Sequence, residues 1–104
     1  MQLQNIFIHH VFFWLEENNE SNRQQLIYGL QKLSAATTIR QFHVGIPADT
    51  RRSVVENTYS VSWMLFFDNA EDQESYQVDP IHLNFVKECS HLWNKVTVFD
   101  TINA

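Results

Sequence analysis

Two stretches of this chain are apolar on both sides of an extended backbone. From Ile6 to Leu15, one face of a strand carries Ile6, Ile8, His10, Phe12 and Trp14, and the other carries Phe7, His9, Val11, Phe13 and Leu15. Thr58 to Phe67 repeats the pattern, with Tyr59, Val61, Trp63, Leu65 and Phe67 on one side and Ser60, Ser62, Met64 and Phe66 on the other. Between them Leu26, Ile27, Leu30 and Leu33 recur at helical spacing, behind Asn19 or Ser21 as a cap. Ile39 to Ile46 reads as a second strand that stops at Gly45 and Pro47, and the polar run 47–57 reads as a loop. Asp68-Asn69-Ala70-Glu71 forms a capping box for a short helix through Tyr76. Asp79 and Pro80 open a further helix to about Trp93, with Ile81, Phe85, Cys89 and Leu92 in one stripe. Lys95 to Ile102 is the last strand.

The order βαββαβ, with its second helix broken, predicts an α+β fold: a ferredoxin-like, four-stranded antiparallel sheet with helices on one face. One domain covers residues 1–104, with no repeats and no low-complexity segment. Helices from one chain can cover only one sheet face. Phe7, Val11, Phe13, Met64, Phe66 and Phe99 are assigned to the other, and together they make a patch too large to leave wet. A second copy packed on that face resolves the conflict, so the expected assembly is a homodimer, a dimeric α+β barrel.

Charge narrows the list of partners. The net charge of -5 and the absence of any basic run exclude nucleic acid as an expected partner. No segment is long and apolar enough to span a membrane, and 6–15 lacks the basic flank and cleavage site of a signal sequence. With one cysteine, Cys89, no internal disulfide can form, and the expected compartment is the cytoplasm. Cys89 falls on the apolar stripe of its helix, as a small core residue does. Of the five histidines, His9 and His10 point to opposite faces and the others share no ligand spacing, so no metal is expected. Glycine is scarce and no phosphate-binding loop is present, so no nucleotide or other cofactor is expected.

The segment Tyr76-Gln77-Val78-Asp79-Pro80-Ile81-His82 carries the candidate chemistry. His82 falls in the first turn of the Pro80 helix, where the positive end of the helix dipole disfavours imidazolium. Tyr76, at the end of the preceding helix, can bring a phenol to the same cleft. The plain alternative is that both rings pack the joint between two helices.

The chain resembles the stress-responsive A/B barrel family. The resemblance is carried by Ile8-His9-His10-Val11-Phe12-Phe13, Phe42-His43-Val44-Gly45, Tyr59, Phe67-Asp68, Tyr76 to Val86, and Trp93 to Asp100. It implies the dimeric barrel and, from a polyketide-cyclising branch, a cofactor-independent acid/base pair. There Tyr76 and His82 match the catalytic pair, Asp100 matches the residue supporting the histidine, and His10 matches a pocket histidine. Ligand-lining positions are then His10, Phe12, Trp14, Ile27, Val61, Trp63 and Leu65. Val61 stands where that branch has a second pocket histidine, and Trp14 and Trp63 stand where it has smaller residues that leave room. The expected function is a homodimer binding a small apolar or aromatic molecule between sheet and helices. The alternative is an aldol-type or proton-transfer enzyme using Tyr76 and His82.

Overall fold

The computed structural model describes residues 1–104. The strands are β1 (Phe7–Leu15), β2 (Gln41–Gly45), β3 (Val61–Phe67) and β4 (Trp93–Ile102), and the helices are α1 (Glu20–Leu33), α2 (Ala70–Val78) and α3 (Pro80–Cys89). A single 3-10 turn, Ser90–Leu92, joins α3 to β4. The strands form one antiparallel sheet in the order β2-β3-β1-β4. This is the expected ferredoxin-like arrangement, and the joint at Asp79 splits the second helix as expected.

Helix starts follow the capping chemistry. Of the two candidate caps for α1, Asn19 is used, and its side chain accepts from the Asn22 N–H at 2.8 Å. At α2 the cap moves one residue from Asp68 to Asn69, which accepts from Asp72 N–H at 2.8 Å. Asp68 pairs instead with Arg40 at 3.2 Å. Asp79 caps α3 through the Ile81 N–H at 2.8 Å, ahead of Pro80.

The face assignment of β1 is the main correction. Val11 pairs with Trp63, His9 with Leu65 and Phe13 with Val61, and these three β3 residues are fully buried beneath the helices. Val11, Phe13 and Leu15 therefore belong to the core with Leu26, Leu30, Leu33, Phe67 and Phe85, rather than to the open face. Phe7 also packs against that core. Ile8, His10, Phe12 and Trp14 occupy the open face instead, beside Met64 and Phe66, while Phe99 on the same face is well exposed. Both β1 faces are apolar, so alternation alone could not choose between them; cross-strand pairing does. The open face remains strongly aromatic after the exchange. The Phe12 ring lies 4.2 Å from His10, 4.9 Å from Tyr59 and 6.0 Å from Phe99.

Helices α1 and α3 approach through Gly29, where an added Cβ would lie 2.6 Å from Cys89 Sγ. Gly29→Ala is expected to destabilise the protein by about 1 kcal/mol in urea titrations. Overpacking costs about 1–3 kcal/mol, and alanine's better helix propensity returns part of it. In a Cys89→Ala background the sign should reverse, because the sulfur that blocks the methyl is gone.

Candidate functional site

Helices α1 and α2 pack on β3, and α2 also on β1, with α3 reaching the sheet through Phe85. The helix-side face of edge strand β4 is left largely open; Val96 and Val98 are each 45% exposed. The gap is a cavity of about 380 Å³, within the range of small-molecule sites. It is walled by β1, β3 and β4 on one side and by the α2–α3 joint on the other. Its polar lining is His9, Asp100, Tyr76, His82, Gln73 and Gln77, and much of the remainder is Val11, Phe13, Trp63, Phe85 and Trp93.

The split helix positions two of these groups. Tyr76 closes the last turn of α2 and is buried; its ring centroid lies 4.7 Å from that of His82, edge to face, and 6.0 Å from that of His9. His82 is the third residue of α3, half-buried, and its Nδ1 is buried with no hydrogen-bond partner. Burial holds its pKa below the ordinary 6.5; the Gln77 backbone opposes this, and the nearby His9 and Asp79 act with and against the burial respectively. Burial pushes the Tyr76 phenol well above the usual tyrosine range, and the hydrogen bond from Trp63 opposes that rise.

Asp100 does not support His82. It sits opposite His9 in the β1–β4 register, and its Oδ1 lies 2.6 Å from His9 Nδ1. The His9 side chain is 8% exposed, against 45% for Asp100. A carboxylate accepting from Nδ1–H fixes the tautomer and leaves the Nε2 lone pair free. The residue missed in the sequence is therefore His9. It shares the helix side with Asp100, and only the β1 face assignment concealed it.

The expected ligand-lining residues divide sharply. Trp63 lines the cavity. His10, Phe12 and Trp14 lie on the opposite sheet face; Trp14 Nε1 donates to Thr58 Oγ1 at 3.0 Å, and Lys95 Nζ sits 4.4 Å above its ring. Val61 and Leu65 are fully buried in the core, and Ile27 packs against that core from α1. Trp14 therefore takes no space in the cavity. A second depression of about 510 Å³, bordered by Arg40, Gln41, Phe42, His43, Met64 and Phe66, belongs to the open face and the β2 edge, away from Tyr76 and His82. No group of three or more His, Cys, Asp or Glu side chains is placed to hold a metal ion. No helix is long and apolar enough to cross a membrane.

The two histidines with depressed pKa values set an expected pH response. Burial is the leading cause for both His82 and His10, and His43 and His9 add to it at His10. The unfolded chain then binds more protons than the folded one below about pH 6.5. Stability should be fully present above that pH and fall as the pH drops beneath it, by at most about 1.4 kcal/mol per pH unit for each histidine. His82→Gln should flatten the decline in urea midpoints measured between pH 7 and 5; an unchanged slope would show that His82 titrates alike in both states.

A family model, the Stress responsive A/B Barrel Domain, matches residues 7–103. Solved structures share the fold at low identity. A Dabb family protein of ferredoxin-like fold from Mesorhizobium loti is 19% identical, with a TM-score of 0.77, covering 97% of this chain and 99% of its own. A dimeric protein of unknown function and ferredoxin-like fold from Bacteroides fragilis is 18% identical, with a TM-score of 0.73, covering 98% and 100%. The hydroxynitrile lyase from Passiflora edulis is 20% identical, with a TM-score of 0.77, covering 98% and 96%. No functionally curated protein matches the sequence. With the family model spanning nearly its whole length, and the sheet order and split helix in agreement, the chain belongs to the stress-responsive A/B barrel family.

Proposed function

We infer that this protein is a homodimer in which the cavity of each chain binds a small, largely apolar carbonyl compound and moves a proton on it without a cofactor. The observation that carries this reading is the convergence of an Asp100-oriented His9, the Tyr76 phenol and His82 on one cavity of ligand size. In the proposed step, His9 Nε2 removes a proton from the carbon beside the carbonyl. The C–H electron pair becomes a carbon–carbon π bond, the carbonyl π pair moves onto oxygen, and that oxygen takes the Tyr76 proton to give the enol. Reversal of these transfers returns both side chains to their starting forms. His82, kept neutral by burial, serves as a polar wall, and its unpartnered Nδ1 has the kind of cost that folds tolerate at sites. The aromatic wall of Phe13, Phe85 and Trp93, with the last two rings stacked at 5.8 Å, favours a flat or hydrophobic ligand.

The dimer part of the reading rests on the aromatic open face and on ferredoxin-like structures described as dimeric. An enzymatic reading is supported, at the level of fold alone, by the similarity to a hydroxynitrile lyase. Titration with a panel of small aromatic aldehydes and apolar ketones, followed by NMR, tests the binding site. Signals of His9, Trp63, Tyr76 and His82 should shift while His10 on the opposite face does not. Absence of binding across the panel, or shifts centred on His10, Phe12 and Trp14, would contradict the assignment.

A further inference from the structure

Trp63 is almost wholly buried, yet its ring nitrogen is not idle: Nε1 lies 3.2 Å from the Tyr76 hydroxyl oxygen. An indole N–H can only donate. The direction of this hydrogen bond is therefore fixed by chemistry, with the phenol oxygen accepting. The phenolic proton is left for another partner, and Tyr76 and Trp63 both line the cavity. A buried indole N–H needs a partner, and the one supplied here is the hydroxyl oxygen of the phenol that faces the cavity.

We propose that Trp63 is a positioning residue for Tyr76, holding the phenol as a hydrogen-bond donor toward the bound molecule and remaining on its oxygen when the proton leaves. The proposal rests on the acid/base reading of this cavity. When the Tyr76 O–H bond breaks and a new O–H bond forms on the ligand's carbonyl oxygen, the negative charge left on the phenol oxygen faces the Trp63 N–H. His9 meanwhile holds the proton taken from carbon, so charge and protons balance. Burial resists ionisation of Tyr76, and the indole bond acts in the opposite direction. The same side chain thus supplies part of the apolar wall and the one protein donor on the phenol.

Two measurements without substrate test this role. With a fluorinated tyrosine at position 76, whose phenol ionises nearer neutral pH, absorbance titration gives the midpoint directly. Trp63→Phe should raise that midpoint by about one to two pH units, the worth of a hydrogen bond to a charged group. An unchanged or lower midpoint overturns the proposal. The second measurement needs no change at Trp63. In Tyr76→Phe, the Trp63 indole N–H resonance should move upfield and exchange faster with solvent; an unaltered resonance overturns the proposal as well. Neither result depends on turnover, so failure here removes the role of Trp63 while the proton transfer itself stands or falls on its own assay.

Discussion

Phe13→Asp is expected to unfold the protein, whereas Phe66→Asp should leave a folded chain that no longer dimerises. The two phenylalanines sit on adjacent, antiparallel strands and look alike in sequence, but they face opposite sides of the sheet. Phe13 is 3% exposed, packed 4.8 Å from Trp93 and 6.4 Å from Phe85 by ring centroids. Removing a buried phenylalanine costs about 3–5 kcal/mol, and an unpaired carboxylate in its place adds to that, which approaches the whole stability of a small domain. Phe66 stands half-buried on the open face, where a carboxylate can reach water in a single chain but not between two apolar faces. Light scattering should give twice the chain mass for the wild type and one chain for Phe66→Asp, with a native circular dichroism spectrum. A wild-type monomer would contradict the dimer, and a Phe13→Asp variant that folds normally would contradict the face assignment.

The second large effect concerns the base. His9→Gln should lower proton-transfer activity by about 10²–10⁴-fold, the usual worth of a positioned general base. His82→Gln should cost less, because Asp100 orients His9 and not His82. Asp100→Asn should fall between them, at about tenfold to a hundredfold, less than the ~10⁴ of a fully buried orienting carboxylate, since Asp100 is half open to solvent. The opposite ranking, with His82 the more sensitive, would return the base to α3.

How far the sequence led can be traced residue by residue. Helical spacing at Leu26, Leu30 and Leu33, the Asn19 and Asp79 caps and the Pro80 break placed α1 and the start of α3, and the Asp68–Asn69 segment placed α2 to within one residue, because those signals are local. Helix α3 stops at Cys89, short of the expected Trp93, where a 3-10 turn takes over. The two-sided strands announced an apolar second face. What they could not announce was which side of β1 met the helices, because a period of two gives parity only, and both parities there are apolar. The family resemblance put His10 in the cavity and Asp100 behind His82, and the parity of β1 alone could not overrule it in favour of His9. Asp100 itself was legible, since Val96 and Val98 mark the helix side of β4. The two tryptophans also divide along this line: Trp14 lies on the far face, and Trp63 stands at the cavity but with its nitrogen bonded to Tyr76. Phe85, read on the apolar stripe of its helix, is cavity wall as well, and Trp93 stands beside it there, because a gap beside an edge strand has no sequence signal.

The most direct measurement is deuterium incorporation. Small aromatic and aliphatic ketones would be incubated in D2O with wild-type protein, with His9→Gln and with Tyr76→Phe, and followed by proton NMR at the carbon beside the carbonyl. The account predicts that the wild type speeds loss of that proton signal for at least one apolar member of the panel, and that both variants lose most of the acceleration. Binding of the same compounds with exchange no faster than in buffer, or exchange that survives both substitutions, would contradict it.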